Sequence, residues 1–241
     1  MYISILVVLI IILVLRSMSP YIFISLANLA IPPNTDTFLP LTDFTDIPCR
    51  NFESNWREIA AEYRNLLTQG TAPEFKAIDP SQEGIANGTW RVLFLRATGV
   101  DCPNAKQCPL TMSIINSCPG VSTAFFSTLE PGTVLEPHEG PQQGVLRYHL
   151  GLEVPEPELC SLTVGGETRH WREGESLLWN DNVLHSAENR GTKNRVILFL
   201  DVERPLPWIF KMLVRMSHVL VRMNPSYQKL IMASEPVPTK V

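Results

Sequence analysis

The chain has 241 residues, 45% of them apolar and 18% charged, with a formal charge of −4 at pH 7. That length suits one catalytic domain with an appendage. The acidic balance gives no global basis for nucleic acid as a partner, because polyanion binding draws on a basic surface.

Residues 1–15 are almost continuously apolar; Arg16 follows, and then a second apolar stretch over 21–31 interrupted by Ser25 and Asn28. Residues 1–31 therefore read as a hydrophobic membrane anchor, although the uninterrupted run is short of the roughly 20 residues that cross a bilayer. A cleaved signal peptide is the rival, against which stands the lack of a basic region ahead of the apolar run. Arg16, on the C-terminal side, places the body of a single-pass protein on the cytoplasmic face. Asn87-Gly88-Thr89 is then an ordinary turn rather than a glycosylation site. The five cysteines, Cys49, Cys102, Cys108, Cys118 and Cys160, are an odd number without zinc-finger spacing. They read mostly as free thiols, with Cys102 and Cys108 placed to pair only in an oxidising compartment.

Pro32, Pro33 and Pro40 mark residues 32–47 as an extended linker. The catalytic body runs over 48–205. Within 51–67 the residues Phe52, Trp56, Ile59, Ala60, Tyr63 and Leu67 recur at helical spacing, with Glu53, Arg57, Glu58, Glu62 and Arg64 left for the wet side. Strands are expected over 90–95, 123–129, 144–152, 159–164, 167–171, 176–179 and 195–202. Gly165-Gly166 between Val164 and Glu167 is a hairpin signal, since two glycines supply the positive φ angles of a two-residue turn. Short, closely spaced strands of this kind imply a mainly β fold, an antiparallel sandwich or jelly roll with flanking helices. In 206–241, Trp208, Ile209, Met212, Leu213, Met216, Val219, Leu220 and Met223 alternate with Lys211, Arg215, His218 and Arg222. This is a basic amphipathic helix, suited equally to a membrane interface or to packing on the domain.

His138 lies in a Pro- and Gly-rich stretch, Glu130 to Pro141, and His185 ends a turn entering a strand. Neutral imidazole is a good ligand for divalent iron, and two of them leave positions open for a cosubstrate and oxygen. Arg147 and His149 are two apart, so on a strand they share one face, which is cationic and invites an anionic ligand. Arg195 opens an apolar strand, where its guanidinium should either lie at the mouth or meet a carboxylate: a ligand's, or that of Asp181, Glu188 or Asp201. His170 and His218 lack such company, and Trp90, Trp171 and Trp179 read as core aromatics.

The segments Phe126-Ser127, His138-Glu139-Gly140-Pro141, Arg147-Tyr148-His149-Leu150-Gly151-Leu152, Trp171-Arg172-Glu173-Gly174-Glu175, Asp181-Asn182-Val183-Leu184-His185 and the run from Arg195 to Pro205 together resemble the aspartyl/asparaginyl β-hydroxylase family. Within it the anchor and the Glu203-Arg204-Pro205-Leu206 ending look most like the lipid A acyl-chain hydroxylases. The resemblance implies a double-stranded β-helix (jelly roll) dioxygenase using Fe(II), 2-oxoglutarate and O2, with succinate as coproduct. His138 and His185 would be the metal ligands, Arg195 would hold the distal carboxylate of 2-oxoglutarate, and Ser127, Arg147 and His149 would complete that site. The substrate would be an unactivated carbon of a membrane lipid or of a protein Asp or Asn side chain; a non-catalytic membrane adaptor keeping the fold is the remaining alternative. One position departs from the common pattern, in which an acidic residue two after the first histidine is the third ligand. Here it is Gly140, as in the peptidyl aspartyl hydroxylases, which argues against lipid. Asp181, four before His185, is the residue expected to orient a metal-bound water there.

Overall fold

The computed structural model describes residues 20–43, 49–225, 227 and 233–238. In chain order its elements are α1 (Pro20–Asn28), β1 (Phe38–Leu39), α2 (Cys49–Ser54), α3 (Trp56–Leu67), α4 (Phe75–Ile78), β2 (Ala86–Asn87), β3 (Trp90–Ala97), β4 (Val100–Asp101), α5 (Pro109–Asn116), β5 (Val121–Leu129), β6 (Val134–His138), β7 (Val145–Glu153), β8 (Cys160–Val164), β9 (Glu167–His170), β10 (Ser176–Trp179), β11 (His185–Asn189), β12 (Arg195–Glu203) and α6 (Trp208–Arg222). The strands form a seven-stranded sheet in the order β1-β10-β7-β12-β5-β3-β4 and a five-stranded sheet in the order β2-β6-β11-β8-β9.

Two apolar layers follow from strand alternation. On β12, Val196, Leu198, Leu200 and Val202 join Phe52, Ile59, Tyr63 and Leu66 of α2 and α3 beneath the large sheet. Ile197 and Phe199 point the other way, into the space between the sheets, with Phe125, Leu135, Leu162, Trp171 and Trp179. The same alternation sends Arg147 and His149 of β7, Ser127 of β5, and Arg195 and Asp201 of β12 to that inner face. One layer is therefore a pure core, and the other carries polar groups at one end.

The Gly165-Gly166 hairpin forms as expected, with φ of +56° and +86° at its two glycines and Val164 opposite Glu167. The single helix expected over 51–67 is two, meeting at Asn55, whose side-chain amide donates to the Asn51 carbonyl at 2.7 Å while its backbone N–H is shared between the Asn51 and Phe52 carbonyls at 3.2 Å. Glu62, expected on the wet side of that helix, instead accepts from the backbone N–H groups of Leu110 and Thr111 at 2.8 and 2.9 Å. That carboxylate caps α5, a helix with no strong local signature. In the described part of the expected linker, residues 32–43, Phe38 and Leu39 add a strand to β10 and Leu41–Asp43 form a 3-10 turn. Cys102, Cys108, Cys118 and Cys160 are buried free thiols.

Most of the expected anchor, residues 1–19, lies outside the described residues, as do linker residues 44–47. Among the described residues no helix is long and apolar enough to cross a membrane. The described part, α1, instead lies on α6, where Ala27 and Ile31 meet Val214. Helix α6 forms over nearly the expected span, burying Val214, Ser217, His218 and Val221.

Candidate active site

His138 ends β6 and His185 opens β11, and the antiparallel register sets them directly opposite each other. Their ring centroids are 4.2 Å apart. Each ring is fixed by the same local device: Nδ1–H donates to the carbonyl two residues back, Glu136 at 2.6 Å for His138 and Val183 at 2.9 Å for His185. That assignment leaves both Nε2 lone pairs free, the arrangement a metal requires. Burial, reinforced by Arg147 and the neighbouring His138, pushes His185 down to about 3; burial also lowers His138. Both imidazoles are therefore neutral near pH 7. His185 Nε2 has no hydrogen-bond partner among the described residues.

Asp181 stands beside this pair, 1% exposed, with Oδ1 3.5 Å from His185 Nε2 and 2.5 Å from Arg147 Nη1. Oδ2 has no hydrogen-bond partner among the described residues. Burial raises its pKa to about 7, and Asp201 adds to the rise against the opposing pull of Arg147. A Cβ on Gly140 would fall 1.3 Å from Asp181 Oδ2. The aspartate thus fills the volume where a side chain at 140 would begin. Backbone contacts lock the two together: Gly140 N–H donates to the Asp181 carbonyl at 2.7 Å, and Asn182 Nδ2 donates to the Gly140 carbonyl at 3.0 Å.

Arg147 is held between Asp181 and Asp201, the latter at 3.4 Å, with its guanidinium over the Phe199 ring at 4.7 Å. Its charge is met from within the protein, so the cationic face expected from the strand is partly neutralised before any ligand arrives. Arg195 is different. It is 2% exposed, lies over Trp171 at 4.4 Å and reaches the Ser127 carbonyl at 3.5 Å; among the described residues it has no ion pair and its Nε has no hydrogen-bond partner. The internal salt bridges to Asp181, Glu188 or Asp201 that the sequence allowed do not form. Burial draws its pKa down to about 9.

His149 accepts a hydrogen bond at Nδ1 from Trp171 Nε1 at 3.2 Å. Its proton then sits on Nε2, which is buried without a partner; burial and the cations Arg195 and Arg147 keep the ring neutral. Ser127 Oγ accepts from Trp90 Nε1 at 3.0 Å. His138, Arg147, His149, His185, Arg195 and Ser127 line one narrow cavity whose remaining wall includes Leu135, Leu162, Ala187 and Ile197. His170 and His218 lie elsewhere, on Pro157 and Gln142 respectively. Asp201, weighed in the sequence as a counter-ion for Arg195, pairs instead with Arg147; Trp90 and Trp171 are core aromatics as expected, and their indole N–H groups in addition hold Ser127 and His149.

Unpaired buried polar atoms are costly, and several converging on one cavity mark a polar ligand. The donor set fits two. Among the described residues no three His, Cys, Asp or Glu side chains form a metal cage; an ion in this cavity would meet the two imidazoles, with Asp181 beside them. Arg195, with the Nε2–H of His149 and the Ser127 hydroxyl, fits a carboxylate.

The family profile described as Aspartyl/Asparaginyl beta-hydroxylase matches residues 53–205. The chain belongs to this family. The ornithine lipid ester-linked acyl 2-hydroxylase of Rhizobium tropici is 40% identical over 172 residues, covering 69% of this chain and 61% of that protein. The aspartyl/asparaginyl beta-hydroxylase of Homo sapiens is 30% identical over 171 residues, 68% of this chain and 22% of its own length. The chain thus spans about three fifths or less of these relatives. Among solved structures, a predicted oxalate decarboxylase from Thermotoga maritima aligns over 57% of this chain and 96% of its own, at 14% identity and a TM-score of 0.39.

Proposed function

We propose that this member of the hydroxylase family is an Fe(II)- and 2-oxoglutarate-dependent dioxygenase acting on an unactivated carbon of a lipid acyl chain, held at the cytoplasmic face of a membrane through residues 1–15. The observation that carries the reaction class is the opposition of His138 and His185, with free Nε2 atoms, in the same cavity as an Arg195 that lacks an internal counter-ion. In this reading His138 and His185 hold the iron, which when bound supplies the redox chemistry that couples 2-oxoglutarate and O2 to insertion of one oxygen atom into a C–H bond.

The chain's own groups do the rest. Arg195 and Ser127 take the far carboxylate of the cosubstrate, a charge-assisted contact in a water-poor setting. The Nε2–H of His149 donates to an oxygen of the same molecule. Asp181 accepts a hydrogen bond from a water beside the two imidazoles, at the position that Gly140 leaves without a carboxylate. Arg147, pinned between Asp181 and Asp201, positions that carboxylate rather than touching the cosubstrate. The apolar wall of Leu135, Leu162 and Ile197 excludes water from the reacting carbon.

The lipid substrate is supported by the relative from Rhizobium tropici, whose name specifies an ester-linked acyl chain. A protein side chain is the second reading, and Gly140 favours it. Comparison of lipid extracts by mass spectrometry, with and without the gene in its host, tests the choice: loss of a single oxygen from one lipid is expected, and an unaltered lipid profile transfers the case to protein substrates. Anaerobic addition of Fe(II) and 2-oxoglutarate should produce a visible charge-transfer band and, with air, succinate. A chain giving neither is the non-catalytic adaptor.

A further inference from the structure

The outer faces of α1 and α6 take no part in that chemistry. On α6 the side chains of Trp208, Ile209, Met212, Met216 and Val219 are all exposed, Trp208 by 70%. At about 100° per residue these five fall within a single arc roughly 100° wide, opposite the buried Val214, Ser217, His218 and Val221. Lys211 and Arg222 border one edge of the arc, together with Arg215, which pairs with Glu203 at 2.6 Å; Phe210 and Leu213 border the other, where they pack with the cluster of Ala27, Ile31 and Val214. On α1, which packs against α6, and just past its end, Ile22, Leu26 and Leu29, spaced by four and three residues, are exposed by 38%, 57% and 84%. Single apolar side chains on a surface need no explanation, whereas eight large ones on two packed helices form a patch that marks an interaction site.

We propose that this two-helix face is the docking surface for an anionic lipid bilayer, seated in the interface plane and distinct from the apolar residues 1–15. The occupant is argued from two features. A one-sided apolar arc edged by cations matches the division between acyl chains and anionic head groups. Residues 1–15, four residues ahead of α1 in the sequence, carry no charged residue, a character suited to lipid.

The surface is fastened to the catalytic rim. Asn28, at the end of α1, donates to the Pro141 carbonyl at 2.7 Å and accepts from the Gln143 N–H at 3.0 Å. From the other side Gln142 meets His218 at 2.9 Å, and Val214 abuts Gly144 so closely that a Cβ there would fall 2.1 Å from its Cγ2. Residues 140–144, which leave His138, are clasped between the two docking helices. A bilayer on this face lies beside the metal loop, which is where an acyl substrate has to arrive; that meaning rests on the lipid reading, whereas the surface itself rests on exposure and charge.

The test uses the full chain without iron and vesicles of phosphatidylcholine, with or without one quarter phosphatidylglycerol, carrying brominated acyl chains. Trp208 emission, taken as the difference between wild type and Trp208→Phe, is expected to be quenched on the vesicles. Phosphatidylglycerol should strengthen binding roughly ten-fold at low salt, the gain fading as salt rises. The variant L26E/M212E/M216E, altered only at exposed positions, should keep its melting temperature and lose the quenching. Vesicle-bound protein with unquenched Trp208 would overturn the proposal, leaving residues 1–15 as the whole attachment. So would protein that stays in the supernatant, or a Trp208 signal that changes with protein concentration in the absence of lipid, the mark of a second copy on the face. Quenching without succinate on later addition of iron and 2-oxoglutarate upholds the surface and removes the catalytic reading.

Discussion

Asp181 occupies the space that any side chain at Gly140 would require, its Oδ2 lying 1.3 Å from where a Cβ would stand. Forty-one residues separate them in sequence, so a substitution at one is felt at the other. Gly140→Ala should lower stability by about 1–3 kcal/mol, the usual range for overpacking. In a double-mutant cycle with Asp181→Ala, urea melts should show a coupling of roughly 0.5–3 kcal/mol, because the second change vacates the volume the first one needs. Strictly additive effects would mean that Asp181 turns away.

Arg195 is a buried cation without an internal counter-ion, and its removal should therefore stabilise the ligand-free protein. Arg195→Met is expected to raise stability in the absence of 2-oxoglutarate by on the order of 1–4 kcal/mol, and to abolish the rise in melting temperature that 2-oxoglutarate gives the wild type. A variant that melts lower and still responds to 2-oxoglutarate would move the carboxylate site elsewhere.

His138 is half-buried, and its one side-chain hydrogen bond is local, to Glu136. His138→Ala should change folding stability by less than about 1 kcal/mol and eliminate binding of Co(II), a coloured stand-in for iron. Retained Co(II) bands in an anaerobic titration would show that the ion is held without this imidazole.

His218 gives the α6 contact a pH dependence. Burial holds its pKa at about 4, partly opposed by Glu203 and supported by Arg222, against an unfolded value near 6.5. The unfolded chain binds the extra proton first, so the stability is intact above pH ~6.5 and is lost as pH falls toward 4, by on the order of 3 kcal/mol in total. Hydrogen exchange along α6 should accelerate across that window in wild type and stay flat in His218→Gln. Equal acceleration in both would assign the transition to other groups.

Much of this was visible in the sequence because alternation is a local property. The two-residue spacing of Arg147 and His149 put both on one face of their strand, and Leu146, Tyr148 and Leu150 lie in the core on the other; the paired glycines at 165 and 166 marked the hairpin. What was hidden depends on distant partners. His138 in its Pro- and Gly-rich stretch and His185 at the turn entering a strand do stand at strand ends, but the pairing of β6 with β11 that sets the two opposite each other is a long-range register, and Pro137 conceals the first strand from any propensity argument. The inward cationic face was legible, but the carboxylates that meet Arg147 come from β12 and from the loop before His185, which no spacing reveals. Glu62 likewise looked like a solvated charge until α5 placed two backbone donors against it.

The clasp that Asn28 makes on residues 141–143 has a practical corollary. Trimming the chain back to its enzymatic body, a natural step for making it more tractable, would delete the brace on the segment leading away from His138, along with the Phe38–Leu39 edge strand and the Asn180 contact to the Asn34 carbonyl at 2.9 Å. Such a fragment keeps both histidines proposed to hold iron yet has His138 on a slacker tether, so weak iron retention by a shortened form would describe the missing scaffold and not the longer chain.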